Sequence, residues 1–436
     1  MAEIMFPLIA AGLLALVLFA VPVATVLSVL AVVMAEATSR GRLLNAMGDI
    51  YWEQSIGFIM ISVPLFILLG EIMLRSGIAG RMYNSVAQWI SWLPGGLMHA
   101  NIGSSALFAA TSGSSVATIA TIGTVAYPEI ERRKYHEGIF LGSLAAGGTL
   151  GILIPPSIGL ILFGVMTNTS IPELYLAGIV PGIALAMLFS VTALCLCLYR
   201  PAWSGERVRT SWRARFSSLP DLLGPAIIFG AVVGSIYGGI ATPTEAASLG
   251  VCTALVLAAL YGQLSLRMLL AAFERTMITT GMILLIVYAA LFLNFVIGFM
   301  GVTDAMLGFM TGLGLSPVQV MFLLVAFYLV IGMFMETLSM MLLTLPIVFP
   351  VVMSLGVTGY SDVWFGIVLT LLMELALITP PIGMNLFVAQ GLRTNGGPFG
   401  DVAIGTLPFL IPMLGLIVVL IFMPSVATWL PDLFYR

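Results

Sequence analysis

The chain has 436 residues, of which 60% are hydrophobic and only 8% are charged, and its formal net charge is −3. In soluble domains about a quarter of the residues are charged. The composition therefore excludes a water-soluble globular protein and indicates one that exposes most of its surface to lipid.

Taken in chain order, the apolar runs predict an all-α polytopic membrane protein, because a helix needs roughly 20 consecutive apolar residues to span a bilayer. Nine runs meet this requirement as full spans. They lie near residues 5–34, 56–75, 136–165, 174–199, 219–237, 243–262, 279–300, 362–390 and 404–430.

Two further apolar regions, 97–128 and 317–355, are overlong for single spans and polar near their centres. Ser112–Ser115 interrupts the first region, and Glu336–Ser339 interrupts the second. Two half-length helices that meet at a polar tip explain each region better than one overlong helix. We therefore predict two re-entrant helical hairpins.

The distribution of Lys and Arg supports this arrangement. With nine spans and a cytoplasmic amino terminus, only Arg40, Arg42 and Arg436 lie outside, which leaves 13 of the 16 basic residues on the cytoplasmic side. Short cytoplasmic loops of membrane proteins are enriched in Lys and Arg in this way. We therefore expect the amino terminus in the cytoplasm and the carboxyl terminus on the periplasmic side.

An internal repeat relates the two halves of the chain. Leu153–Phe163 aligns with Leu377–Phe387 with seven of eleven positions identical, and the same offset of 224 places Ser115 on Ser339. Five full crossings separate the starts of the two repeats, so the repeats are predicted to be inverted. Inverted repeats are typical of secondary transporters, whose binding sites lie near the midplane between the repeats.

Proline interrupts one predicted span in each repeat. Pro155-Pro156 and Pro380-Pro381 remove backbone donors and push the preceding residue out of helical geometry, so both spans must unwind locally. Unwound backbone at membrane depth survives only beside protein or a watery cavity. We predict two broken helices, and we expect each hairpin tip to meet the break of its own repeat.

Each such junction offers ligands for a small cation and for an anion. Freed carbonyls and hydroxyls are hard oxygen ligands, and the amino-terminal ends of half-helices present free N–H groups to a carboxylate. The predicted cation ligands are Ser112, Gly113, Ser114, Ser115, Thr149, Pro155, Glu336, Thr337, Ser339, Thr379 and Gly383. The predicted substrate ligands are Ser115, Ser157, Ser339 and Asn385. An alternative stays open, in which these residues are packing glycines, backbone-bonded hydroxyls and proline kinks.

Acidic residues inside apolar runs also need an explanation, since each costs roughly 2.5–3.5 kcal/mol on insertion scales. Glu336 lies at a predicted hairpin tip, and Glu374 lies one to two turns before the second break. Glu245 follows Thr242-Pro243-Thr244, and we interpret it as part of a helix start.

Four segments resemble motifs of the large membrane subunit of TRAP (tripartite ATP-independent periplasmic) transporters. They are Thr111–Ala117, Gly151–Ser157, Gly239–Ala247 and Ile378–Leu386. The resemblance extends over essentially the whole chain. One departure is Glu336, where the family usually has Asp, so the ligand distance at this tip differs by one methylene.

The resemblance implies a sodium-coupled, elevator-type importer of carboxylates in the bacterial inner membrane, for example of four-carbon dicarboxylates, sialic acids or keto acids. It also implies two protein partners, a small membrane subunit of four helices and a periplasmic substrate-binding protein. The resemblance further implies that sodium ions are the coupling ions. Neither an enzyme activity, nor a further cofactor, nor a nucleic acid is expected.

The predicted organisation has four parts. Residues 1–95 hold scaffold spans and an arm helix of the first repeat, and 96–200 hold its hairpin and broken helix. Residues 201–316 hold the connecting helix and the scaffold spans of the second repeat, and 317–436 hold its hairpin and broken helix. The moving body of an elevator would contain both hairpins and both broken helices.

Two other functions stay open. A single-component sodium/dicarboxylate or citrate carrier would share the hairpin plan but would need no binding protein. An integral membrane enzyme or assembly scaffold would not transport, and it leaves the inverted repeat unexplained. The chain has no Walker motif and no HExxH, so an ATPase or a membrane metalloprotease would lack its machinery.

Overall fold

Helices make up the ordered framework of the chain. The computed structural model describes residues 21–39, 41–206, 210–301, 305, 308 and 314–435. Within these ranges the elements are helices, and an isolated bridge between Tyr135 and Ser204 is the β-type pairing present. The predicted all-α architecture is confirmed.

Six helices of the described ranges are long and apolar enough to cross a bilayer, and a seventh candidate is a pair of helices bent by 40°. Each coincides with a span expected from the sequence. The six are Phe58–Arg75, Ile171–Tyr199, Trp212–Tyr237, Pro243–Leu260, Leu266–Phe299 and Phe399–Phe422, and the bent pair is Glu137–Leu153 with Ile158–Thr167.

The two remaining predicted spans differ from simple crossings. The span near 5–34 lies partly outside the described residues, and its described part is the helix Val23–Ser39. The span near 362–390 consists of two helices, Asp362–Leu377 and Met384–Gly391, with non-helical residues between them. The total of nine crossings therefore stays a prediction.

Two helix boundaries differ from the sequence-based expectation. The helix expected to begin near 279 begins at Leu266, where the Ser265 hydroxyl accepts a hydrogen bond from the amide of Met268 at 3.2 Å. Charged residues on its first turns are exposed, so they do not interrupt the helix as the hydropathy pattern suggested. The last span was expected to continue to 430 but ends at Phe422, because Pro424 forces Met423 out of helical geometry.

Both interrupted apolar regions are pairs of helices that meet at a break, as predicted. The first hairpin consists of Gly96–Ser112 and Ser115–Ala126, and the second consists of Pro317–Gly332 and Thr337–Met353. Gly113 ends the first arm of the first hairpin with φ +59°, a conformation that glycine adopts without strain. Whether the hairpins re-enter a bilayer stays a prediction.

The prolines break both helices where the sequence predicts. The first broken helix is interrupted after Leu153 and restarts at Ile158, and the second is interrupted after Leu377 and restarts at Met384. Pro155-Pro156 and Pro380-Pro381 are both cis peptide bonds.

The repeats pack directly on one another through glycine. A Cβ atom on Gly405 would overlap the carbonyl of Gly138, and one on Gly142 would overlap the carbonyl of Gly405. The backbones of Glu137–Leu153 and Phe399–Phe422 are therefore in contact, which only small residues permit. This contact joins the first broken helix to the last long helix of the second repeat.

Candidate functional site

The tip of the first hairpin lies against the first break. A Cβ on Gly113 would lie 3.2 Å from the carbonyl oxygen of Pro156 and 3.4 Å from the amide nitrogen of Ile158. A Cβ on Gly151 would lie 2.7 Å from the carbonyl oxygen of Ser114. The structure therefore brings together the two segments that the sequence assigns to the first half of the site.

A chain of hydroxyl groups orders this tip. The Thr118 hydroxyl donates to the carbonyl of Ser114 at 2.7 Å, and its oxygen lies 3.0 Å from Ser112 Oγ. Because Thr118 has one hydroxyl proton, Ser112 is the donor in the second contact. Thr149 likewise donates to the carbonyl of Ala146 at 2.6 Å. Ser112 and Thr149 thus keep oxygen lone pairs that suit a cation, while their protons are already used.

Thr118 was not among the residues predicted from the sequence. It lies one helical turn after Ser114, so its side chain faces the tip. The i to i+4 spacing from Ser114 is the sequence feature that could have indicated this contact. Its role in the described structure is to orient Ser112.

Two predicted serines are helix caps. The Ser114 hydroxyl accepts from the amide of Ala117 at 3.4 Å, and the Ser157 hydroxyl accepts from the amide of Leu160 at 3.3 Å. These contacts agree with the structural alternative for both residues. They leave the hydroxyl protons of both serines free to donate to an anion, so a cap and a ligand are compatible roles here.

The second half of the site is assembled differently from the first. Glu336 caps the second arm of its hairpin by accepting from the amide of Ser339 at 3.1 Å, and Thr379 donates to the carbonyl of Leu375 at 2.7 Å. Within the described ranges, no hydrogen bond joins Glu336, Thr337 or Ser339 to Thr379, Gly383 or Asn385. The tip of the second hairpin instead reaches the first break, where a Cβ on Gly159 would lie 3.7 Å from Leu338.

A hydrogen bond connects the two repeats at the centre of this region. Ser115 Oγ donates to Glu374 Oε1 at 2.6 Å, and the two residues are 1% and 0% exposed. Glu374 Oε2 has no hydrogen-bond partner among the described residues. The tip of the first hairpin therefore contacts Glu374 of the second repeat, a residue the sequence analysis noted as acidic but did not place in the site.

Asn385, a predicted substrate ligand, is fully buried on the helix that follows the second break. Neither its amide oxygen nor its amide nitrogen has a partner in the part of the chain that the structure describes. Buried side-chain amides are nearly always hydrogen-bonded. Asn385 thus has the free donors and acceptor that a polar ligand would need.

The ligand types around these tips suit an alkali cation rather than a transition metal. Among the described residues, no group of three His, Cys, Asp or Glu side chains could hold a metal ion.

A cavity of about 550 Å³ between Ala46–Ser55 and Leu266–Phe299 contains none of the predicted site residues. Its lining includes Glu53, Gln54 and Asn294, and it is separate from the tips.

A second polar cluster joins the repeats at one end of the broken helices, and we call it the inter-repeat clasp. Its members are Tyr127, Glu137, Arg393, Asn395 and Asp401. Arg393 donates to both carboxylate oxygens of Glu137 at 2.9 and 2.7 Å, and Asn395 lies 3.1 Å from each of the same oxygens. Tyr127 and Asp401 complete the cluster at 3.2 Å from Glu137 and Arg393 respectively. Burial alone would lower the pKa of Arg393, but its hydrogen bonds to Glu137 and Asp401 raise it.

Glu245 has the structural role that the sequence favours. Its carboxylate accepts from the amide of Thr242 at 2.8 Å, and the Thr242 hydroxyl accepts from the amide of Glu245 at 3.4 Å. This reciprocal pair is a capping box at the start of Pro243–Leu260.

Comparison with known proteins identifies a family. Residues 10–426 match the family described as tripartite ATP-independent periplasmic transporter, DctM component. The ectoine/5-hydroxyectoine TRAP transporter large permease protein UehC of Ruegeria pomeroyi is 33% identical over 86% of each chain. The C4-dicarboxylate large permease DctM of Pseudomonas aeruginosa is 32% identical over 87% of this chain and 88% of its own. The sialic acid large permease SiaM of Vibrio cholerae is 31% identical over 86% and 87%.

Solved structures with a similar fold are also membrane transport proteins. The YdaH transporter of Alcanivorax borkumensis superposes with a TM-score of 0.61 over 89% of this chain and 88% of its own, at 16% identity. MtrF of Neisseria gonorrhoeae, an antimetabolite efflux pump, superposes with a TM-score of 0.54 over 88% and 84%, at 11% identity. At these identities the likeness concerns the fold alone.

Proposed function

The chain belongs to the DctM component family of the tripartite ATP-independent periplasmic transporters, and from this premise we propose that it is the permease for an organic acid whose import is driven by sodium. Its relatives are large permease proteins, which are transport proteins and not enzymes. The observation that carries the proposal is the buried polar junction between Ser115 and Glu374, which joins the two repeats of an otherwise apolar protein, together with the fully buried and unpartnered amide of Asn385 among the described residues.

A carboxylate is the substrate class that this junction favours. The relatives are named for C4-dicarboxylate, sialic acid and ectoine, and each of these compounds carries a carboxylate. The hydroxyl protons of Ser114 and Ser157 and the free amide of Asn385 are donors for such a group. The half-helices that begin at Ser115 and Ile158 add backbone N–H groups.

Sodium is the coupling ion in this proposal. The lone pairs of Ser112 and Thr149 and the carbonyls around Pro155 supply neutral oxygen ligands on the first side of the junction. Ser339, Thr379 and Gly383 supply them on the second side. Two sodium ions with one monocarboxylate would carry one net positive charge inward, and each charge gains about 2.3 kcal/mol per 100 mV of membrane potential.

The movement we propose is that of an elevator. Both hairpins, both broken helices and the last long helix would move as one body, because the inter-repeat clasp and the contact of Gly405 with Gly138 hold these elements together. Phe58–Arg75 packs on both Pro243–Leu260 and Leu266–Phe299, and Leu266–Phe299 also packs on Val23–Ser39, the described part of the first span. These four helices would form the scaffold. The amino terminus would be cytoplasmic and the carboxyl terminus periplasmic.

Two partners complete the proposed transporter, a small four-helix membrane subunit and a periplasmic substrate-binding protein. The test is uptake of radiolabelled C4-dicarboxylates, sialic acid and ectoine into proteoliposomes that contain the permease and its small subunit, with the binding protein added outside. We expect uptake of one of these acids that stops when sodium is replaced by potassium and needs no ATP. Uptake that is indifferent to this replacement would contradict sodium coupling.

The same proteoliposomes separate the alternatives. A single-component sodium/dicarboxylate carrier would transport without the binding protein, whereas the tripartite proposal expects no uptake when it is omitted. A membrane enzyme or scaffold without transport would give no sodium-dependent uptake under either condition.

A further inference from the structure

We propose that Glu374 is a cation-binding residue of the transport site, whose carboxylate holds a coupling sodium ion beside Ser115. The inference rests on the proposed function, because it assigns a ligand for the cation that drives transport. It places a charged ligand in a site for which the sequence predicts mainly neutral oxygens. It also places that ligand on the second broken helix, outside the predicted set.

The Glu374 carboxylate is poorly compensated by the protein. It is fully buried, it accepts one hydrogen bond, and its second oxygen has no partner among the described residues. A carboxylate offers about four acceptor positions. A buried charge that lacks partners costs several kcal/mol, so such groups are paired or coordinate metals.

Among the described residues, the helices that pack on the Glu374 helix offer no basic side chain to neutralise it. The helix Asp362–Leu377 makes its main packing contacts with eight other helices, and not one of them contains Lys or Arg. These are Leu150–Leu153, Ile158–Thr167, Ile171–Tyr199, Pro317–Gly332, Thr337–Met353, Met384–Gly391, Phe399–Phe422 and Ser425–Tyr435. An ionised Glu374 would therefore take its compensating positive charge from a bound cation.

The surroundings favour a single alkali cation. Ser115 donates its proton to Glu374 Oε1, so the lone pairs of Ser115 Oγ remain available beside the carboxylate. Since Ser115 belongs to the first hairpin and Glu374 to the second broken helix, a cation here would be held only while the two repeats are docked.

The test is Glu374→Gln, which keeps the size of the side chain and an oxygen that accepts from Ser115 but removes the charge. The full-length wild-type chain and the variant are purified in detergent and melted in NaCl and in choline chloride of equal concentration. We expect sodium to raise the melting temperature of the wild type and not that of the variant. In choline chloride the variant should be at least as stable as the wild type, because its site has no charge to compensate.

Sodium activation of uptake in proteoliposomes gives the second readout. We expect Glu374→Gln to raise the sodium concentration for half-maximal uptake by about tenfold or more, or to lower the cooperativity in sodium. Glu274→Gln removes a carboxylate that is exposed on Leu266–Phe299 and serves as the matched control, with unchanged sodium activation.

The outcomes separate this inference from the proposed function. Wild-type uptake that does not depend on sodium would overturn the proposed function itself. A sodium-dependent wild type together with a Glu374→Gln variant of unchanged sodium affinity and cooperativity would overturn only the inference, and would mean that Glu374 is neutral in the folded protein. A variant that is less stable than the wild type even in choline chloride would likewise overturn it, since the carboxylate would then be structural.

Discussion

Arg393 and Glu137, which are 256 positions apart in the sequence, form a bidentate ion pair. The distance is 2.9 Å between Arg393 Nε and Glu137 Oε1, and 2.7 Å between Arg393 Nη2 and Glu137 Oε2. The Arg393 side chain is only 3% exposed. Bidentate pairs of arginine and carboxylate combine strength with a fixed geometry. The pair therefore fixes the end of the second broken helix against the start of the first.

The first prediction concerns this clasp. Arg393→Ala leaves the Glu137 carboxylate half-buried without its main donor, and hydrogen bonds to charged groups are worth about 1.5–3 kcal/mol. We expect a clear fall in the melting temperature of the full-length chain in detergent. Arg132→Ala removes an exposed partner of Glu129, whose pair is worth about 0–1 kcal/mol, and should change little. Equal losses in the two variants would contradict a stabilising role for the clasp.

The second prediction concerns the glycine contact between the repeats. A Cβ on Gly405 would overlap the carbonyl of Gly138, so Gly405→Ala must push two helix backbones apart, and overpacking of this kind costs about 1–3 kcal/mol. Gly415 lies on the same helix with nothing within 4 Å of its added Cβ. Gly415→Ala should be neutral or stabilising by up to about 1 kcal/mol, because alanine favours helix. Thermal melting of both variants measures the difference, and a harmless Gly405→Ala would refute the close approach.

The third prediction concerns orientation in the membrane. In a background without the three native cysteines, cysteine at exposed Ser211 should react with a membrane-impermeant thiol reagent only from the cytoplasmic side, and cysteine at exposed Phe434 only from outside. The physical basis is the excess of Lys and Arg on the loops assigned to the cytoplasm. Permeabilised cells, in which both positions should react, provide the control. Reaction of both positions from one side of intact cells would refute the nine-span arrangement.

Local signals in the sequence were sufficient for the breaks and tips. Pro155-Pro156, Pro380-Pro381 and the polar residues Ser112–Ser115 stand out against an apolar background, and each perturbs the helix at its own position. The cap at Thr242 and Glu245 was predictable for the same reason, since a capping box is a pattern of four consecutive residues.

Contacts between distant segments were not predictable from the sequence. Ser115 and Glu374 are 259 positions apart, and the repeat relates Ser115 to Ser339, not to Glu374. The sequence therefore pairs each tip with its own break, whereas the structure adds contacts that cross between repeats. The start of the long helix at Leu266 was missed because hydropathy measures apolar character and does not detect a helix that continues with exposed charges.

The last prediction compares two fully buried asparagines with opposite environments. Asn385 has no hydrogen-bond partner within the described residues, whereas Asn101 accepts from Tyr83 at 3.0 Å and donates to Ser143 at 2.9 Å. Leucine has a similar size without polar atoms. Removing an amide that has no partner should cost nothing or stabilise the fold. Removing the Asn101 amide leaves the buried Tyr83 hydroxyl without its acceptor, which costs about 1–3 kcal/mol.

We therefore expect Asn385→Leu to melt at or above the wild-type temperature and Asn101→Leu to melt clearly below it. For substrate affinity in proteoliposomes we expect the opposite, so that Asn385→Leu is the more damaging of the two variants. Asn385→Leu should raise the substrate concentration for half-maximal uptake by about tenfold or more, since a site built to hydrogen-bond a ligand loses that ligand when the group is removed. If Asn385→Leu instead destabilises the chain and leaves substrate affinity unchanged, the amide is a structural group, and the substrate site has to be sought among the capping serines, Ser114 and Ser157.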